Sequence, residues 1–166
     1  MSTLTNLQPI KRSRHVPARG DIFVMQLPTG KYLFGRVTLA EPPRESAPGP
    51  STNLIYIYAC QSDTKTPDYR QLTADRLLLP PIWTNRLGWT RGVFQTIENQ
   101  SLQQHDLLPQ HCFRDSVRGI CLDEMGRKLS FRVEPCGEWG LVSYRWIDDH
   151  ISDAIGIPRV PASPED

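Results

Sequence analysis

Apolar residues recur along most of this chain with the two-residue period of a strand, and only once, near the end, with the period of a helix. The clearest strand pair lies in Arg19–Leu39, where Ile22–Leu27 and Tyr32–Leu39 are joined by Pro28-Thr29-Gly30. Proline presets φ for a turn, and glycine accepts the positive φ that a short hairpin commonly needs. In the second run Leu33, Val37 and Leu39 fall on one face, and Tyr32, Phe34, Arg36 and Thr38 on the other. Gly35 in mid-strand predicts a bulge, a sharp bend or a close backbone approach. Leu54–Cys60 is apolar on both faces, which predicts a central strand.

Further strands are predicted at Leu77–Trp83, ended or distorted by Pro80-Pro81, and at Val93–Ile97. Ile120–Leu122 and Leu129–Val133 flank a turn containing Gly126 and predict a second hairpin. Thr66–Leu72 reads as one or two helical turns, and Ser101–Gln110 as a polar loop with some helical character. The helical period belongs to Ser143–Ile155, where Tyr144, Ile147, Ile151, Ala154 and Ile155 share one arc. Ser143 can cap its start, and Gly156 and Pro158 end it. Arg145, Asp148, Asp149, Ser152 and Asp153 form the opposite face, expected to be solvated, with Trp146 projecting toward that side.

This pattern predicts an α+β fold that is mainly β: a bent antiparallel sheet, or a small barrel-like sheet, with the C-terminal helix packed on it. The domain is expected over residues 19–157, with a mobile, Pro-rich loop at 40–52. A flexible basic arm, residues 1–18, precedes it and a Pro-rich tail, 158–166, follows. At 39% hydrophobic and 22% charged residues, the chain belongs with globular domains, not disordered ones. A net charge of +1 provides no overall field toward nucleic acid or membrane. With no signal-like segment and no CxxC pair among Cys60, Cys112, Cys121 and Cys136, reduced buried thiols and a cytoplasmic location are expected.

Catalytic chemistry finds no support in the pattern. Cys112 follows His111 directly, but neighbours on a strand point to opposite faces. His105, His111, Cys112 and Cys121 lack the paired spacings of structural zinc sites, so no metal and no other cofactor are expected. Asp148-Asp149 diverges by about 100° on a helix and cannot act on one bond. Four tryptophans remain, Trp83, Trp89, Trp139 and Trp146, and tryptophan is enriched at interface hot spots. The expectation is a binding protein, with candidate partner contacts at Trp146, Asp149, His150 and Asp153, joined by Trp89 and Arg91.

GDIFVMQLPTGKYLFGRV resembles the opening of the immunity protein 26 family of bacterial polymorphic toxin systems. LLLPPIWTNRLGWTRGVFQTIENQSL and YRWIDDHISDAIG continue the resemblance, which covers most of residues 19–156. It implies a protein that neutralises a cognate toxin by stoichiometric binding; from the near-neutral charge and the lack of a spanning segment, neither nucleic acid nor membrane is expected as a partner. A Gly-Asp pair leading into an apolar strand also resembles the ribonuclease toxins of toxin–antitoxin pairs. In that alternative, the basic arm and Arg36, Arg91 or Arg114 would contact RNA phosphates.

Overall fold

The structure is a computed structural model that describes residues 5–162, so the first four residues of the expected arm and the last four of the expected tail lie outside the described residues. Its first sheet has the strand order β4-β3-β2-β1-β5, antiparallel throughout. The strands are β1 (Asp21–Gln26), β2 (Tyr32–Ala40), β3 (Asn53–Ser62), β4 (Ile82–Thr84) and β5 (Gln95–Asn99). The expected hairpin forms β1 and β2: the Leu27 N–H donates to the Lys31 carbonyl (2.8 Å), and Gly30 takes φ +88° at the turn. Gly35 is a close approach within a bulged strand. A Cβ there would lie 2.2 Å from Phe23 Cζ and 2.7 Å from the Tyr56 carbonyl oxygen, and the β2–β3 register shifts beside it.

Alternation along β1–β3 buries both faces of this sheet. Phe23, Met25, Leu33, Val37, Ile55 and Ile57 enter one core cluster; Ile22, Val24, Phe34, Tyr56 and Tyr58 enter a second on the other side. The first cluster is closed by a short helix, α1 (Leu87–Thr90), and by the C-terminal helix, α2 (Tyr144–Ile155), through Ile147 and Ile151. Ser143 caps α2 by accepting the Trp146 N–H (3.2 Å), and Gly156 ends it at φ +78°. The sheet stays open, so the bent-sheet form of the expectation holds and the barrel does not.

A second sheet, β7-β6-β8, is built from β6 (Cys112–Asp115), β7 (Ile120–Leu122) and β8 (Cys136–Glu138), with β6 parallel to β8. The expected hairpin of Ile120–Leu122 with Leu129–Val133 is replaced by pairing of β7 with β6. A Leu122–Lys128 bridge and the bonds from the Asp123 N–H to the Arg127 carbonyl and from the Leu129 N–H to the Cys121 carbonyl (each 2.8 Å) remain of it. Leu54, Trp83 and Phe113 join the two sheets, with Leu39 and Trp139 packed beside them. The strand expected at Leu77–Trp83 forms as a bridge of Leu77 to Tyr58 and as β4, with a break between, and Tyr69–Gln71 supplies one 3-10 turn. Between β2 and β3, Arg44–Ser46 forms another, with Ser46 buried.

Two expectations are overturned by burial. Residues 5–18, read as a loose arm, lie against the domain: the N–H groups of Gln8, Ile10 and Ser13 donate to the carbonyls of Gln26, Gly92 and Trp89. Leu7 is 1% exposed in the first core cluster. Asp148 and Ser152, assigned to a solvated face, are each 1% exposed. The Asp148 carboxylate accepts the main-chain N–H of Leu7 (2.7 Å) and of Asn6 (3.0 Å), while Ser152 Oγ accepts from Asn6 Nδ2 (2.9 Å). A helical face that looks polar in sequence is therefore an internal anchor for the N-terminal segment.

Candidate partner-binding surface

Ser143 starts α2 so that Trp146 stands at its first turn, and the fold seats that indole half-buried against the first core cluster. Trp146 stacks on His150, with ring centroids 3.5 Å apart and planes at 19°. His150 Nδ1 lies 2.8 Å from the Trp146 carbonyl oxygen. A carbonyl only accepts, so Nδ1 carries the proton of this bond. The pair lines a cleft of about 170 Å³ together with Pro80, Pro81, Glu138 and Gly140. Leu141 is 43% exposed, Met125 42% and Phe131 73%, so the segments around β7 and β8 bring several large apolar side chains to the surface.

The remaining candidates are placed differently. Asp149 and Asp153 do share the Trp146 side of the helix, but Arg159 pairs with both, at 3.8 Å and, from Nε to Asp153 Oδ1, at 3.0 Å. The Arg159 guanidinium holds the Asp153 carboxyl below its ordinary range. The acids expected to ring an exposed indole are thus largely neutralised from within the chain. Trp89 is 0% exposed: it packs on Phe23 and Phe94, and its indole N–H donates to Thr96 Oγ1 (3.0 Å). A partner cannot reach it without unfolding α1, so Trp89 is a core residue. Arg91 is exposed just after α1. Among the Arg residues proposed for RNA, Arg36 is buried, donating to the Gln100 carbonyl (2.8 Å) and pairing with Asp106 (3.7 Å).

Sequence reasoning missed two polar clusters because their members are distant along the chain. His111 Nε2 meets Tyr56 Oη (2.5 Å), and its Nδ1 lies 3.3 Å from a Glu124 oxygen. The bond from His111 holds the Glu124 carboxyl below its ordinary range, whereas burial pushes the Tyr56 hydroxyl up to about 12. With Tyr56 fully buried, this group ties one sheet to the other and offers no open nucleophile. On the opposite side of β6, the sulfurs of Cys112, Cys121 and Cys136 all lie within 4.8 Å of one another. Cys112 and Cys136 are 3.3 Å apart, and all four cysteines of the chain are free. Burial, and then the bond from Cys112, pushes the Cys136 thiol up to about 12.

No helix among the described residues is long and apolar enough to cross a membrane. Searches of curated proteins and of solved structures found no match. The sequence model of one family, immunity protein 26, matches residues 18–119, from just before β1 through β6. The match covers well over half of the chain and stops before β7, β8 and α2, so the segment YRWIDDHISDAIG lies beyond it. On that match the chain belongs to the immunity protein 26 family.

Proposed function

We propose that this protein neutralises a cognate toxin of a polymorphic toxin system by forming a one-to-one complex in the bacterial cytoplasm. Membership of the immunity family is the observation that carries this reading. Binding, not turnover, is the mechanism it favours, because the buried Tyr56–His111–Glu124 group presents no reactive atom to a substrate. The contact surface proposed is the cleft at Trp146 and His150, with Leu141 and Phe131. A half-buried indole beside a preformed cleft is the kind of anchor that dominates binding energy, about 2 kcal/mol or more on truncation. Trp146, His150, Leu141 and Phe131 lie outside the family-matched segment, whereas Pro80 and Pro81 on the facing wall of the cleft lie within it.

The test is co-expression of the toxin encoded beside this gene with wild type, Trp146→Ala, Phe131→Ser and Asp149→Lys/Asp153→Lys, each first shown to be folded. Loss of protection by Trp146→Ala or Phe131→Ser, with a one-to-one complex of the wild type in size-exclusion light scattering, is the expected result. Full protection by all three variants refutes the surface. Protection at strongly sub-stoichiometric levels refutes binding as the mechanism. Sub-micromolar RNA binding that weakens steeply with salt would favour the ribonuclease alternative instead.

A further inference from the structure

We infer that Cys112, Cys121 and Cys136 form a three-thiolate site for a thiophilic closed-shell cation, zinc(II) or copper(I). The three side chains come from the three strands of the second sheet and share one of its faces. Cys112 and Cys136 are directly opposite in the β6–β8 register, and Cys121 is opposite Arg114, two residues along β6 from Cys112. Phe113 points to the other face, into the joint with Leu54 and Trp83.

The spacing of the sulfurs fits a shared ion. Metal–sulfur bonds of about 2.3 Å in a tetrahedron place thiolates about 3.8 Å apart. Here the closest pair is at 3.3 Å and all three lie within 4.8 Å. A disulfide would use two of the three and leave the third without a role; an ion uses all of them.

The surroundings supply what such a site needs. The Val133 N–H donates to Cys112 Sγ (3.4 Å), the kind of outer bond that orients a thiolate ligand. Arg132 stands near Cys136 and Cys121, its guanidinium held by Glu134. Glu134 is occupied, accepting from Arg132 Nε (2.6 Å) and from the Cys136 N–H (3.1 Å), so it frames the site without ligating. Cys112 and Cys136 are buried and Cys121 is half-buried, leaving the Cys121 side for a solvent ligand when zinc takes a fourth. Binding breaks three S–H bonds, forms three metal–sulfur bonds and releases three protons, with no change of oxidation state. Its effect is to fasten β7 and β8 to β6.

The experiment uses the full chain, purified with a phosphine reductant and no chelator from cells grown with added zinc or copper. One equivalent of metal by elemental analysis is expected, and stoichiometric cobalt(II) should give a thiolate charge-transfer band with the intense visible bands of a tetrahedral site. Cys121→Ser and Cys136→Ser should each weaken binding by about 100-fold or more, whereas Cys60→Ser, whose thiol lies in the second core cluster, should leave it unchanged. Removal of the metal by a zinc chelator or by a copper(I) chelator tells which cation is held, and either supports the site. A folded wild type that takes up none of the three metals overturns it. So does a metal whose affinity is indifferent to Cys121→Ser, or a count of two free thiols in the metal-free protein, which would mark a Cys112–Cys136 disulfide.

Discussion

Replacing Asp148 with alanine removes both acceptors from the N–H groups of Leu7 and Asn6, held at 2.7 and 3.0 Å. The Leu7 amide is buried, and leaving such a donor unpaired costs about 1–3 kcal/mol. The Asn6 amide is half-exposed and can recover a water, so it adds less. Relief from burying a carboxylate offsets part of the loss, because that burial raises the Asp148 pKa above 3.8 despite the opposing bonds from Leu7 and Asn6. The net expectation is a loss of about 2–3 kcal/mol, or roughly 5–10 °C in melting temperature for a chain of this length.

Ser152→Ala, which loses only the hydroxyl that meets Asn6, should cost about 1 kcal/mol. Ala154→Lys, on the exposed side of α2, should change nothing measurable. Thermal and urea unfolding followed by circular dichroism give the order, and hydrogen exchange at the Leu7 amide gives the cause. The pH dependence has a definite sign: a raised carboxyl pKa makes the contribution of Asp148 greatest below pH 3.8, fading as pH rises through the folded value. Asp148→Asn should flatten that part of the profile. An Asp148→Ala protein melting within about 2 °C of wild type, with Leu7 still protected, would refute the reasoning.

Gly35→Ala forces a methyl to 2.2 Å from Phe23 Cζ and should cost about 1–3 kcal/mol in a denaturant melt; Phe23→Leu in the same chain should restore part of it, through coupling between neighbours. Glu124 has its folded pKa lowered by His111, so its contribution is present above pH 4.5 and lost as pH falls through the folded value. Glu124→Gln should lower stability at pH 7 and flatten the acid limb, as read from melting temperatures across pH 3–7.

The parts of the fold legible in the sequence are those whose partners are close by. The β1–β2 hairpin, the bulge at Gly35 and the caps of α2 follow from neighbouring residues. The second sheet is different. Its strands are only three or four residues long, one pair is parallel, and β8 meets β6 across 24 positions, so no window carries the signal. The same distance hid the site chemistry. Cys112, Cys121 and Cys136 show no motif until three strands bring them together. Asp148 looks like a solvated acid because its donors sit 141 and 142 residues away. Among the tryptophans, residue type alone could not separate Trp89, sealed in the core, from Trp146 at a cleft.

The bond from Leu7 to Asp148 has a consequence for the order in which the protein can become complete. A ribosome makes the segment around Leu7 well before α2, so the Leu7 amide must wait for a carboxylate 141 residues further along. Until then, Leu7 has no carboxylate to hold its amide, and the apolar face closed by Ile147 and Ile151 stays open to water. Translation arrested just after β8 would leave a nascent protein with two sheets and an uncovered core, prey to proteases. On the function proposed above, the interval before α2 emerges is an interval without the finished surface, which favours making this chain ahead of its toxin.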